Sequence, residues 1–355
     1  MTGTTVRHLG EDLPRLTSLR AFAALAVFFF HIARNTSWGP GGITFMHGYV
    51  GVAFFYVLSG FVLTWSTRPE TTTGTFYVRR FARVYPSHFV MFLVALVVPI
   101  LVYPVTLPSA GANLLLIQAW FPQWPIAFGM NGLSWSLSCE FFFYACTPFL
   151  LRWGHRRSDR TLVMALLGWF AVTTLGAVAL TLNGLDIYAF TNPLIRSGEF
   201  GLGVLAGLLA LRGRLPRVPM WVAVAVVGAV WYLTVARQLP QSLTGAAFAL
   251  PFLLLVVAGA TNDLARRPGP LRSRALVYAG QVSFGFYLVH ELVIINGEPY
   301  WSGWAQSKTT AVLLLLGVLT LAFLLATALH EWVERPCQRL IRSRWEPSKR
   351  AVSYT

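Results

Sequence analysis

The stretch SLRAFAALAVFFFH, residues 18–31, decides the fold, because it is an apolar run that carries one cation near its start and an imidazole at its end. An ionisable side chain inside a membrane-spanning helix costs about 2.5–3.5 kcal/mol on insertion, so such residues usually have a function. Arg20 and His31 stand eleven positions apart, which is about 16 Å along a helix. The two side chains therefore lie near one helix face at different depths.

The composition of the whole chain predicts an integral membrane protein. Of its 355 residues, 55% are hydrophobic and 12% are charged, whereas soluble domains carry about 25% charged residues. We therefore expect an all-α, polytopic fold that forms a single transmembrane domain over 1–355 within the lipid bilayer. Ten apolar runs are near the ~20 residues that cross a bilayer: 17–35, 48–66, 84–105, 132–152, 161–183, 192–212, 218–236, 242–260, 274–296 and 309–332.

The net charge of +15 indicates topology rather than binding of nucleic acid. Most of the 28 Lys and Arg residues fall in short clusters between apolar runs, on one predicted side of the membrane. Cytoplasmic loops carry this excess of cations. We therefore expect both termini in the cytoplasm, including a basic tail at 336–355.

One apolar segment is too short to span a membrane. The run ANLLLIQAWFP, residues 112–122, lies in a loop rich in Trp and Pro. Its length predicts a re-entrant or interfacial segment, with an eleventh span as the alternative.

Several ionisable residues are predicted to share one layer of the membrane. Counted from the expected helix ends, His31, Glu140, Glu199, His290 and Glu291 lie roughly 6–12 Å below the outer surface. Charged groups at that depth face the bundle interior and pair with one another. A histidine beside Glu140 or another carboxylate is suited to general base catalysis at neutral pH. The alternative is a structural histidine bonded to a backbone carbonyl.

The run RRFARVYPSH, residues 79–88, forms a second polar constellation. Clustered guanidinium groups bind phosphates, so Arg79, Arg80 and Arg83, with His88, form a candidate phosphate site. The alternative is a stop-transfer cluster or a contact with lipid headgroups. No spacing of residues typical of a metal site is present, so we expect no metal.

Seven segments in order resemble the motifs of the acyltransferase-3 family. They are SLRAFAALAVFFFH, GVAFFYVLSGFVL (51–63), RRFARVYP, SWSLSCEFFFY, RSGEFGLGVLAG, SFGFYLVHELV (283–293) and HEWVERP (330–336). The resemblance covers nearly the whole chain. One departure is Ala53, which stands where many relatives carry an acid, so no role of that acid is transferred.

The resemblance implies a bacterial inner-membrane enzyme that moves an acyl group, usually acetyl, from acyl-CoA to a hydroxyl of a sugar or a macrolide-type natural product. A cell-envelope glycan is the alternative acceptor. Direct attack and an acyl-histidine intermediate both remain open. The expected catalytic residues are His31 and Glu140. The expected donor-binding residues are Arg20, Arg79, Arg80, Arg83 and His88. The expected acceptor-binding residues are Trp135, Ser136, Glu199, Tyr287 and His290.

Two other classes of function fit some of these features. A proton-coupled transporter also uses intramembrane His and Glu residues, although no inverted repeat is evident in the sequence. A sensor that binds acyl-CoA without turnover needs the arginines but does not need His31.

Overall fold

The computed structural model describes residues 12–36, 45–98 and 105–345, and within these ranges the chain is helical, with no strand. The all-α prediction is confirmed. The α-helices are α1 (Pro14–Asn35), α2 (Gly51–Ser66), α3 (Thr73–Val97), α4 (Leu107–Leu114), α5 (Trp124–Ala127), α6 (Trp135–His155), α7 (Asp159–Leu182), α8 (Asp186–Thr191), α9 (Pro193–Leu211), α10 (Met220–Arg237), α11 (Gln241–Leu264), α12 (Arg274–Trp301), α13 (Lys308–Leu329) and α14 (Arg335–Trp345). The 3₁₀ turns are Phe45–Val50, Gln118–Trp120, Gly132–Ser134, Pro270–Arg272 and Ser302–Trp304, and a π-helical turn, His330–Glu334, joins α13 to α14.

Nine helical stretches in the described ranges are long and apolar enough to cross a membrane. They match nine of the ten predicted spans, and the polytopic architecture is confirmed. The tenth predicted span, 132–152, corresponds to α6, whose 21 residues extend about 31 Å. This helix is long enough to cross but is not among the nine apolar stretches.

The arginine run lies inside α3 rather than in a loop before it. This helix begins at Thr73, and Thr72 caps it by accepting a hydrogen bond from the Thr75 backbone N–H at 3.2 Å. The sequence prediction began the span at 84, because the charges of the run lower its hydropathy. The predicted end of that span includes 99–104, which lie outside the described residues.

The short segment 112–122 does not span the membrane, so the alternative of an eleventh span is wrong. It consists of the end of α4 and the turn at Gln118–Trp120. Asn113 and Gln118 are both buried and donate hydrogen bonds to Ser134, at 2.6 Å to its hydroxyl and 2.7 Å to its carbonyl. These bonds tie the segment to the turn that precedes α6.

Helices α2 and α9 are in backbone contact through glycine. A Cβ atom added to Gly203 would lie 1.9 Å from the Val57 carbonyl oxygen, and one added to Gly60 would lie 2.1 Å from that of Phe200. The small residues Gly203 and Gly207 predict such close packing of membrane helices. The structure confirms that prediction.

The start of α1 is fixed by a buried ion pair. The Arg15 guanidinium contacts Asp263 of α11 at 2.6 Å and donates to the Pro268 carbonyl at 3.0 Å, and both side chains of the pair are almost fully buried. A buried pair with these additional hydrogen bonds satisfies the charges that burial strips of water. This anchor, together with the packing of α1 along α12, aims Arg20 and His31 into the bundle.

Candidate active site

Two cavities lie inside the bundle and share part of their lining. The first, here called the arginine cavity, has a volume of about 330 Å³, and the second, the histidine cavity, about 190 Å³. Val52 of α2 and Tyr287 of α12 line both. The two cavities are therefore neighbours, separated by these side chains.

The arginine cavity is lined by Arg20, Arg80, Arg83, Glu140 and Tyr144. The Tyr144 hydroxyl donates a hydrogen bond to the Glu140 carboxylate at 2.5 Å. The buried Nε atoms of Arg20 and Arg80 make no hydrogen bond to any described residue. Cations outnumber carboxylates in this lining, so the cavity is suited to an anionic ligand.

One of the three cavity arginines is already engaged. Arg83 forms an ion pair with Glu334 of the π-helical turn, and the side chain of Glu334 is completely buried. Glu334 also contacts His330 at 3.0 Å. The other two cations of the lining are Arg20 and Arg80. Within the described ranges, neither forms an ion pair with a carboxylate.

His31 is held in a chain of hydrogen bonds that fixes its ring. Its Nδ1 lies 2.9 Å from the Val27 carbonyl oxygen and 3.2 Å from Nε2 of His290. His290 Nδ1 in turn lies 2.9 Å from the Phe286 carbonyl oxygen. Because each Nδ1 faces a carbonyl, each Nδ1–H donates, and His290 Nε2 accepts from His31.

The other ring nitrogen of His31 faces a carboxylate. Its Nε2 lies 3.1 Å from Oε1 of Glu291, and His31 and Glu291 both line the histidine cavity. Since Nδ1 already donates, Nε2 is the nitrogen that can bind a second proton, and it would then donate a hydrogen bond to the facing Glu291 carboxylate. A carboxylate beside it stabilises the charged ring that results.

The predicted layer of polar residues is corrected for Glu140. This residue lies in the arginine cavity with Arg20, and the carboxylate that contacts His31 is Glu291. The reason is the depth at which α6 begins. Asn131, just before it, donates to the Leu288 carbonyl at 3.0 Å, and the turn Gly132–Ser134 is buried, so α6 starts inside the bundle.

Four predicted site residues lie outside both cavity linings in the described part of the chain: Arg79, His88, Glu199 and His290. Glu199 pairs with Arg196 at 3.1 Å within α9. His290 is completely buried and supports His31. His88 is buried and donates to the Asn113 carbonyl at 3.0 Å, so the structure does not bring it to the arginines.

The remaining predictions divide between the cavities. Trp135 lines the histidine cavity, Ser136 lines the arginine cavity and Tyr287 lines both. The Tyr287 hydroxyl donates to the Leu133 carbonyl at 3.2 Å. Arg79 lies next to Arg80 in α3, but it is not among the described residues that line the arginine cavity.

Sequence reasoning gave Arg196 no role in the site, and the structure places it behind the cavity walls. Its guanidinium carbon lies 5.2 Å from the ring centre of Tyr56, 5.9 Å from that of Trp135 and 5.5 Å from that of Phe190. Such cation–π contacts are strongest when the cation is desolvated, and Arg196 is 2% exposed. The helical pairing of Arg196 with Glu199 was the available signal of a buried charge.

Comparison with known proteins identifies similar chains. Residues 13–331 match the family described as an acyltransferase domain. The acyltransferase MdmB of Streptomyces mycarofaciens is 38% identical over 94% of this chain and 93% of its own length. Nodulation protein 10 of Rhizobium leguminosarum is 26% identical over 88% of this chain and 92% of its own length.

A third relative matches over a shorter stretch. The peptidoglycan O-acetyltransferase OatA of Listeria monocytogenes is 29% identical over 41% of this chain and 25% of its own length. No solved structure matches the chain.

Proposed function

We propose that this chain, which belongs to the acyltransferase-3 family, transfers an acyl group from acyl-CoA to a hydroxyl group of an acceptor. The observation that carries this proposal is the pair of adjoining cavities, one with cations and one with a histidine–carboxylate pair. A reaction between two substrates needs both held next to each other.

The arginine cavity is the proposed donor site. Acyl-CoA is made in the cytoplasm and carries several phosphates, and the arginines lie at the end of the bundle that the distribution of cations predicts to be cytoplasmic. Arg20 and Arg80 retain buried Nε donors without a hydrogen bond to a described residue. The acyl end of the donor would lie against Tyr287, beside the histidine cavity.

The histidine cavity is the proposed acceptor site. His31 Nε2 takes the proton of the acceptor hydroxyl, and Glu291 stabilises the imidazolium that forms. The hydroxyl oxygen bonds to the thioester carbon, and the tetrahedral intermediate then expels the thiolate of CoA. That thiolate takes the proton from His31, so the products are an ester and free CoA.

We propose direct transfer rather than an acyl-histidine intermediate. The ring nitrogen that faces the cavity is already beside Glu291 at 3.1 Å, and His31 Nδ1 is engaged with Val27 and His290. A ring held in this way is suited to moving a proton. The adjoining cavities also allow the two substrates to react without a covalent relay.

The proposed acceptor is a sugar or macrolide-type natural product. In support, the chain spans nearly the whole length of an acyltransferase from Streptomyces. The histidine cavity has aromatic walls that include Tyr49, Trp124 and Phe190, and such rings provide apolar faces for a ring-shaped ligand. A cell-envelope glycan is the second candidate, favoured by the similarity to a peptidoglycan O-acetyltransferase.

The proposal is tested with the purified chain and radiolabelled acetyl-CoA. Acceptors are glycosylated macrolides and, as envelope probes, soluble peptidoglycan fragments. We expect an acetylated product, identified by mass spectrometry, and loss of product formation in His31→Ala because the base is removed. His155→Ala is the matched control, since His155 is exposed at the end of α6 and lines neither cavity.

Full product formation by His31→Ala, with the control also active, would reject the mechanism. Acetyl-CoA binding with no product from any acceptor would favour the sensor. Movement of a substrate across vesicle membranes without acetylation would favour the transporter.

A further inference from the structure

The π-helical turn and α14 continue the fold beyond residue 331, where the match to the family ends. They pack along α3, the helix that carries the arginine run. The ion pair between Glu334 and Arg83 fixes how this segment is aligned along α3. Gln338 donates a hydrogen bond to Glu334 at 3.2 Å. Residues spaced by four lie on one helix face, so Glu334, Gln338 and Arg342 share the face directed toward α3.

The direction of the two helices brings Arg342 toward the start of α3. Since α13 leads toward the end of the bundle where α3 begins, α14 and α3 run in opposite directions. Arg79 and Arg80 lie one turn closer to the start of α3 than Arg83, on the same helix face. The long side chain of Arg342 lies within electrostatic range of Arg80.

Positive charge therefore accumulates around Arg80. Arg79 and Arg342 repel its guanidinium, whereas Tyr144 and Glu140 of the cavity lining attract it. Like charges repel, and an arrangement of this kind is stabilised by an anion that contacts several of them. Arg80 lines the arginine cavity, and Arg342 is exposed on α14.

We propose that Arg342 completes, with Arg79 and Arg80, a binding site for the phosphate groups of the donor's nucleotide, a proposal that rests on acyl-CoA being the donor. Planar guanidinium groups bind phosphate through paired hydrogen bonds. The acyl group and its pantetheine arm would extend from this site into the arginine cavity, so α14 would hold the end of the donor farthest from the reaction. The phosphate of an anionic lipid headgroup has the same chemistry. The test must therefore distinguish binding of a lipid phosphate from binding of the donor's phosphates.

The test compares Arg342→Ala with Arg344→Ala in the full chain, in neutral detergent at low salt. Both arginines are exposed on α14, but Arg344 lies about 200° around the helix from Arg342. Calorimetric titration with CoA should show about a tenfold higher Kd for Arg342→Ala, because a charge-assisted contact is lost. The Kd of Arg344→Ala should stay within about twofold of the original, because its side chain points away from α3.

A truncated donor separates binding from structural damage. Acetyl-pantetheine has no phosphate, so its rate of acetyl transfer should be the same in the original chain and in Arg342→Ala. An equal loss with acetyl-CoA and acetyl-pantetheine would overturn the inference, because it would indicate a disturbed fold. An unchanged Kd for CoA would overturn the inference as well. This includes the case in which Arg342→Ala weakens only the binding of phosphatidylglycerol vesicles, because Arg342 would then bind a lipid headgroup rather than the donor.

The original chain provides the reference for the proposed function itself. If that chain fails to bind CoA, the proposed donor is wrong, and this inference falls with it. If it binds CoA and Arg342→Ala binds equally well, only the assignment of Arg342 is wrong.

Discussion

At the scale of single residues, the site depends on how His31 is held. His290 accepts from its Nδ1–H, and the Phe286 carbonyl fixes His290 in turn. This chain of buried groups leaves Nε2 of His31 for Glu291 and for the substrate. A ring whose tautomer is set by its neighbours needs no rearrangement when it accepts a proton.

The two buried glutamates are predicted to differ in what they do. Glu291→Gln should lower kcat by about 10²–10⁴-fold, the usual contribution of general acid–base catalysis, with little change in the KM for the donor. Glu140→Gln should chiefly change that KM, because Glu140 lies with Arg20 and Arg80 in the arginine cavity. Steady-state kinetics of the two variants with acetyl-CoA measures both quantities.

The opposite pattern would contradict this division of roles. If Glu140→Gln loses kcat and Glu291→Gln retains it, then Glu140 supports the base. Circular dichroism of each purified variant provides the control for folding, since each substitution preserves the shape of the side chain.

The sequence indicated residues that line the two cavities better than it indicated their contacts. Arg20 and His31 were singled out correctly as intramembrane polar groups, because their cost in an apolar run is visible without a structure. The partner of His31 was not predictable, since depth was counted from a helix end assumed to lie at the surface. The buried turn Gly132–Ser134 shows that α6 begins elsewhere.

At the scale of helices, the contact between α2 and α9 has no room for a side chain at its glycines. Gly203→Ala would place a Cβ atom 1.9 Å from the Val57 carbonyl oxygen. Backbone must move to relieve such a clash, and overpacking costs about 1–3 kcal/mol. We expect a lower apparent Tm in a fluorescence-based unfolding scan of the detergent-solubilised protein.

Gly228→Ala in α10 is the matched control, since a Cβ at Gly228 has no described atom within 4 Å. Its Tm should be unchanged. An equal Tm for the two variants would show that α2 and α9 are not in backbone contact.

Helix boundaries depended on features that hydropathy does not measure. The small-residue spacing in α9 predicted close packing correctly, because the absence of a side chain is itself the signal. The predicted start of α3 was too late, because the first turns of this helix are polar or charged and have low hydropathy. The N-cap Thr72 marks the true start, but a cap is a polar residue that hydropathy does not detect. Pro86 lies inside α3 without ending it.

At the scale of the whole molecule, the two cavities approach Tyr287 from different regions of the bundle. The arginine cavity reaches the start of α1 and the end of α2, and the histidine cavity adjoins the turn before α2 and the start of α8. This arrangement leads to the central claim that donor and acceptor reach the reaction from opposite sides of the membrane.

The most direct test of this claim is the sidedness of transfer in sealed proteoliposomes. The chain is reconstituted with its α14 end outward, an orientation verified by protease access to a tag added after residue 355. Acetyl-CoA is supplied outside only, and a membrane-impermeant acceptor that the purified protein acetylates is enclosed inside. The account predicts acetylated acceptor inside the vesicles and free CoA outside, whereas product formed only when both substrates are on the same side would contradict it.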